Sequence, residues 1–194
     1  MSTTLKVLNL ANRIFLIALF MIASLPGFGQ REKPETIDAT AFGTSTQMGR
    51  NFNVKIIIQE FSTPEDRDLL VRAFHQGQND GLRDALEKMK GVGRIQIPGT
   101  VGYDLRFVRE TVTSTGRTIR FLTDRRIAFG ESRHNTETKS FNLTAGEINI
   151  DVKDKSKSGG ALLPAAQLIV NKEGELQFEL NQNAWRLTNI IEWK

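Results

Sequence analysis

The sequence contains no cysteine, which excludes disulfide bonds, thiolate metal sites and a cysteine nucleophile. It also lacks a P-loop, an HExxH helix, a nucleophile-elbow serine and an EF-hand loop. Two carboxylate pairs are present, Asp66 with Asp68 and Asp151 with Asp154. Each pair is typical of a helix cap or a solvated turn, because no alternating oxygen ligands surround it. We therefore predict no cofactor, no metal site and no recognisable catalytic motif.

Long hydrophobic runs are scarce, with one exception near the N-terminus. Ile14–Leu25 is uncharged and follows the basic residues Lys6 and Arg13. As a helix it would rise only about 18 Å, short of a hydrocarbon core of about 30 Å. This pattern predicts a signal peptide over residues 1–29, cleaved after Gly29. An uncleaved anchor lengthened by neighbouring apolar residues is the alternative.

Strong charge of one sign is also missing. The predicted signal peptide holds Lys6 and Arg13 and no acid, so the mature chain has 24 basic and 22 acidic residues. A net charge of +2 gives no general reason to expect a nucleic acid partner.

Alternating hydrophobic residues dominate what remains. Residues 30–50 are polar, which predicts a flexible leader, and residues 51–194 form a single β-rich domain. Helix signals occur near 64–76 and 80–90. Strand follows strand through short connections, which favours antiparallel pairing. We predict a mainly β (α+β) fold, an antiparallel β-sandwich or barrel of about nine short strands with an inserted pair of short helices.

The same alternation predicts which side chains form the core. In the segment FNLTAGEINIDV the apolar residues change from odd to even positions, which predicts a bulge or break at Ala145-Gly146. The predicted core consists of Val54, Ile56, Ile58, Leu70, Phe74, Leu82, Leu86, Leu105, Phe107, Ile119, Phe121, Ile148, Ile150, Leu168, Val170, Leu176, Phe178, Leu187 and Ile191.

Positive charge is concentrated in one part of the chain. Residues 94–133 hold eight arginines, no lysine and four acids. Alternation places Arg106 and Arg120 outward on two strands that the TSTG hairpin would pair. Arginine binds carboxylates and phosphates bidentately, so Arg106, Arg120, Arg125 and Arg126 form a candidate anion-binding surface. The expected partner is an acidic envelope polymer or a partner protein; an ordinary solvated face is the alternative.

A resemblance to other proteins is found in the segments GRIQIPGTVGYDLRFVRE and GRTIRFLTDRRIAFGE. With the C-terminal hairpin, they resemble an uncharacterised group of exported bacterial proteins of unknown function. The resemblance covers roughly residues 51–191 and implies one exported domain. It implies no activity and no ligand.

Two functions remain open at this point. The first is an exported, periplasmic or secreted, non-enzymatic binding or structural module of the cell envelope. The second is an exported hydrolase with a scattered active site, in which His134 would need serine and aspartate partners that the sequence cannot place. The other histidine, His75, follows Phe74 on the first predicted helix and is expected at the edge of the core.

Overall fold

The computed structural model describes residues 33–97, 100–127, 142–170, 172, 176–180 and 183–193. The predicted signal peptide lies outside this range. The described elements are one α-helix, α1 (Pro64–Lys88), two 3-10 turns and nine strands. The strands are β1 (Glu35–Phe42), β2 (Asn51–Ile58), β3 (Gly93–Gln96), β4 (Tyr103–Val112), β5 (Gly116–Thr123), β6 (Leu143–Asp151), β7 (Gly159–Val170), β8 (Leu176–Leu180) and β9 (Trp185–Trp193).

Eight of these strands close into an antiparallel barrel in the order β6-β5-β4-β3-β2-β1-β9-β7, with β7 pairing back onto β6. Strand β8 is an addition to the barrel. The first half of β7 pairs with β9, and its second half, from Ala166 to Val170, pairs with β8. The predicted mainly β, antiparallel architecture is therefore confirmed, with closure into a barrel.

The barrel interior is filled by apolar side chains. Inward positions of successive strands bury isoleucine, leucine and valine, as the alternation predicts. Trp185 and Phe121 are the largest fully buried side chains. Most of the predicted core is buried, including Val54, Ile56, Ile58, Leu70, Phe74, Leu82, Leu86, Leu105, Ile119, Phe121, Ile148, Ile150 and Leu187.

Five residues of the predicted core are less buried than expected. Val170 and Phe178 lie on the β7–β8 extension, beyond the closed barrel, and are exposed. Ile191 is 50% exposed because an irregularity in β9 turns it outward. Phe107 and Leu168 are partly buried under the helix, outside the barrel. For Phe107 the cause is a register shift in β4 between Leu105 and Phe107.

Strand β6 runs unbroken from Leu143 to Asp151, so the predicted break is absent there. An irregularity does occur beside the predicted position, in the pairing of β6 with β7. The residues of β6 are buried on both sides: Ile148 lies in the barrel core, and Leu143 packs beneath the helix. The pairing with β7 shifts register between Leu143 and Ala145, where β7 contributes the extra residue.

Gly146 is required by close packing inside the barrel. It pairs with Phe121 on β5, and the phenyl ring of Phe121 lies over its backbone. A Cβ atom at position 146 would lie 2.1 Å from Cζ of Phe121. The glycine at this position therefore makes room for the buried ring rather than marking a break in the strand.

Helix α1 is one element, so the predicted pair of helices was wrong. Thr63 and Asp66 form a capping box at its start, followed by Pro64. The helix is kinked at Gln78, which has φ 52° and ψ −139°, next to Gly77. The glycine indicates a weak point in the helix, but no loop separates two helices there.

The kink brings Asn79 to the edge of β7. The side-chain Oδ1 of Asn79 accepts from the Leu168 N–H at 2.7 Å, and its Nδ2 donates to the Leu168 carbonyl at 2.6 Å. These two hydrogen bonds satisfy the backbone N–H and carbonyl groups of Leu168 in the way that a residue on a neighbouring strand would. Together with Leu70, Phe74, Leu82 and Leu86, which pack onto the wall formed by β4 to β7, this contact fixes α1 on one side of the barrel.

An ion cluster lies at one end of the barrel. Arg117 on β5 donates to Glu110 on β4 at 2.8 Å and also binds Glu35 and Glu192 from β1 and β9. Burial of Arg117 opposes its ionisation, but the hydrogen bonds that it donates to Glu35 and Glu110 outweigh this and raise its pKa above the usual range. Since β5 and β1 are four strands apart in the ring, the cluster ties opposite walls together.

Strand β1 falls within residues 30–50, the segment for which the sequence predicts a flexible leader. It pairs with β2 and β9 in the middle of the barrel order. Its inward residues Ile37, Ala39 and Ala41 are buried but mostly small, which makes its hydrophobic pattern weak.

Within the described part of the chain, no helix combines the length and the hydropathy that a membrane-spanning helix requires.

Candidate functional site: a groove in the outer wall

The predicted anion-binding arginines do not form one free surface. Arg106 donates through Nε to the carboxylate of Asp124 at 3.2 Å and through a terminal nitrogen to the Met89 carbonyl at 3.0 Å. Arg125 donates to the same carboxylate at 3.0 Å. Asp124 has a side chain only 2% exposed. Arg106 thus connects a buried acid to the end of α1.

The charge state of Asp124 follows from these contacts. Burial favours its neutral form and would raise its pKa. The hydrogen bond and charge of Arg125, with those of Arg106, outweigh burial and hold the pKa of Asp124 below its usual range. The carboxylate therefore remains ionised at neutral pH, and both guanidiniums are already engaged.

Arg120 lies elsewhere. It pairs with Glu147 on β6, with 2.6 Å between Nε and the carboxylate, and its side chain is 61% exposed. Burial favours the neutral form of Glu147, but the hydrogen bond from Arg120 outweighs it and lowers the pKa of Glu147. Arg126 is also engaged in an interaction within the protein. The structure therefore brings Arg106 and Arg125 together around Asp124 and leaves Arg120 in a separate surface pair.

The carboxylates singled out in the sequence have local structural partners. Asp66 accepts from the Thr63 N–H at 2.8 Å in the capping box. Asp151 accepts from the backbone N–H groups of Lys153 and Asp154, each at 2.9 Å. These hydrogen bonds lower the pKa of Asp151, that of Asp154 most. Within the described part of the chain, no cluster of three or more carboxylates or histidines is arranged to hold a metal.

The two histidines give no site in the described structure. His75 is exposed on α1, with its ring 6.3 Å from that of Phe74. His134, the residue on which the hydrolase alternative depends, lies outside the described residues.

A groove of about 610 Å³ lies on the outside of the barrel, over β1, β2, β3 and β9. We call it the outer-wall groove. Its polar lining consists of Asp38, Thr40, Asn53, Lys55, Gln96, Thr100 and Asn189. Two exposed apolar side chains, Val101 and Ile191, also line it. The volume falls within the range of about 300–1,000 Å³ that small-molecule sites occupy.

Asp38 organises one part of this groove. Its carboxylate lies 3.2 Å from Nζ of Lys55 and accepts a hydrogen bond from Nε1 of Trp193 at 2.9 Å. The charges of Asp38 and Lys55 cancel, so this pair adds no net charge to the groove. The hydrogen bond also orients the indole ring of Trp193, which is 56% exposed and adjoins the groove through this contact with Asp38.

The irregularity in β9 places the amide of Asn189 in the groove. The pairing of β9 with β1 shifts between Asp38 and Thr40, and Asn189 has φ 51°. Such a bulge redirects side chains and is frequent at functional sites. Nδ2 of Asn189 lies 3.4 Å from Oγ1 of Thr40, so the amide is held beside β1.

Sequence reasoning did not find this groove. Its residues are the outward positions of strands, which look like an ordinary solvated face. The available signal was the C-terminal segment NIIEW, where Trp193 and Ile191 share a face. Alternation predicts Ile191 in the core, but the bulge at Asn189 turns this face outward.

Comparisons of the chain with protein-family models, curated proteins and solved structures found no match. The outer-wall groove and the barrel itself are therefore the features from which a function is inferred.

Proposed function

We propose that the protein is an exported, non-enzymatic binding module of the cell envelope, and that its ligand is held in the outer-wall groove. The observation that carries the proposal is the groove itself, a polar concavity on a barrel wall that α1 does not cover. The apolar side chains that fill the barrel leave the outside as the place for a ligand. Sequence features support export, since Ile14–Leu25 has the length of a signal-peptide core.

The groove replaces the arginines as the preferred contact surface. An acidic polymer would have to compete with Asp124 for Arg106 and Arg125, and with Glu147 for Arg120. The amides and hydroxyl groups of the groove face outward and offer both donors and acceptors.

The proposal is tested by binding to insoluble envelope material prepared from the native host. Purified mature protein should sediment with this material. The double variant Asn53→Ala, Gln96→Ala should sediment much less, because both side chains lie on exposed faces of the groove. Arg120→Ala is the matched surface control and should behave like wild type. Equal sedimentation of the groove variant and wild type would contradict the proposal.

Two further measurements examine the other parts of the proposal. The intact mass of protein from the native host should correspond to a chain beginning at Gln30, whereas a species that retains residues 1–29 would contradict export with cleavage. Soluble products should not accumulate from the envelope material during the binding assay. Their time-dependent release by wild-type protein would favour the hydrolase alternative.

A further inference from the structure

The chemistry of the outer-wall groove identifies a class of ligand. We infer that the groove binds a short, uncharged oligosaccharide segment, with Trp193 as the surface on which one sugar ring stacks. This inference rests on the proposed function, because it names the ligand of the same groove.

The charges in the outer-wall groove are balanced. Among the described residues, Lys55 is the only cation that lines the groove, and Asp38 lies 3.2 Å from its ammonium group. A polyanion would meet a carboxylate at the one place where it needs a free positive charge. A cation would meet the ammonium group in the same way. The pair therefore favours a ligand without net charge.

The hydrogen-bonding groups of the groove suit the hydroxyl groups of a sugar. Asn53, Gln96 and Asn189 each carry a carbonyl acceptor and an amide donor. Sugar hydroxyl groups are both donors and acceptors, so a row of amides can satisfy several of them at once. These amides project from β2, β3 and β9, that is, from three strands of one rigid wall. Their spacing is thus fixed before a ligand arrives.

Trp193 and Ile191 provide an exposed apolar surface. Trp193 is 56% exposed, and the hydrogen bond from its Nε1 to Asp38 fixes the plane of the ring. A sugar ring has an apolar face of C–H groups that can pack on an indole while its hydroxyl groups point sideways. Ile191 lies two residues earlier on the same outward face and lines the groove, which extends this apolar surface.

A peptide fits the groove less well. Extended peptides bind most readily by adding a strand to an open sheet edge. The four strands under the groove are each paired on both sides, β3 with β2 and β4, and β9 with β1 and β7. They offer side chains but no backbone edge, whereas a glycan needs only side chains.

The test uses the mature protein and three soluble probes: N-acetylglucosamine oligosaccharides of three to six units, dextran sulfate, and a digest of unstructured casein peptides. Calorimetry should detect saturable binding of the oligosaccharides that persists at about 0.5 M NaCl, roughly five times the ionic strength of about 0.1 M at which the Debye length is already about 10 Å. Ligand should also change the fluorescence of Trp193, while Trp193→Phe should lose that signal and keep binding. Trp185 is buried in the barrel and should not respond.

Matched variants identify the site. Trp193→Ala should reduce oligosaccharide affinity about tenfold, which corresponds to the loss of one aromatic contact. Phe178→Ala, which truncates an exposed aromatic residue on β8 outside the groove, should bind like wild type. A circular dichroism melt of each variant separates loss of a contact from loss of fold.

Three results with these probes would overturn the inference. They are equal oligosaccharide affinity of Trp193→Ala and wild type, binding of dextran sulfate alone with loss at high salt, and binding of peptides alone. If wild type binds envelope material through Asn53 and Gln96 but binds no uncharged oligosaccharide, the oligosaccharide inference is wrong and the proposed function stands. If neither is bound, both are wrong.

Discussion

The two outer walls of this barrel have opposite surfaces. The wall formed by β4 to β7 is covered by α1, which packs Leu70, Phe74, Leu82 and Leu86 onto it. The wall formed by β3, β2, β1 and β9 carries the amides and the exposed indole of the outer-wall groove. Both walls share one apolar interior, so their difference lies only in the outward-facing residues. In this fold the interior determines the barrel, and the outward residues give one wall a surface for packing against α1 and leave the other wall as the proposed ligand surface.

Truncation of an aromatic residue on each wall tests this comparison most strongly. Phe74 is 2% exposed between α1 and the barrel, and Phe74→Ala should lower the free energy of unfolding by about 3–5 kcal/mol. Trp193→Ala, on the open wall, should lower it by less than about 1 kcal/mol, since the indole is exposed. Urea denaturation of both variants measures the difference. Similar losses in the two variants would contradict the division between the walls.

The buried acid near the end of α1 gives the next effect. Asp124→Asn leaves Arg106 without its buried charged partner, with only the more exposed Asp104 at 3.9 Å, and should cost about 1.5–3 kcal/mol at pH 7. Because the folded-state pKa of Asp124 is lowered, its stabilisation is complete above the ordinary aspartate pKa and is lost as pH falls through the folded-state value. The variant and wild type should therefore converge in stability toward low pH. A difference in stability that stays constant down to strongly acidic pH would contradict this role of Asp124. The control is Asp84→Asn, because Asp84 forms an exposed ion pair with Arg83 on the helix.

The exposed ion pair should have the smallest effect. Arg120→Ala removes a contact with Glu147 between two side chains that are 61% and 39% exposed. Such pairs contribute about 0–1 kcal/mol and are screened by salt. A double-mutant cycle with Glu147→Gln at low and high salt measures the coupling. A coupling well above 1 kcal/mol that persists at high salt would show that Arg120 has a structural role like that of Arg106.

Much of the barrel could be predicted because its interior residues are large and alternate. Val54, Ile56 and Ile58 on β2 gave a clear strand period, and Ile148 with Ile150 did the same on β6. Strand β1 was not predicted, because Ala39 and Ala41 contribute little apolar surface.

The candidate site could not be predicted in the same way. Asp38, Asn53 and Gln96 are far apart in the sequence and come together only through strand pairing, Asp38 with Lys55 and Lys55 with Gln96. The bulge that exposes Ile191 depends on a positive φ at Asn189, which no hydrophobic pattern reveals. The arginines were found by composition, but their partners, Asp124 and Glu147, are set by tertiary structure.

The pairing of β1 with β9 has a consequence for how the chain folds. Thr36 on β1 pairs with Trp193 on β9. Among the barrel strands β1 is synthesised first and β9 last, so β1 gains this neighbour only after β9 has been synthesised. Contacts so distant along the chain make folding slow, because a long loop must be ordered before they form. Until then β1 has an open edge, and Asp38 lacks the indole that β9 supplies. The outer-wall groove is therefore complete only when β9 has paired with β1.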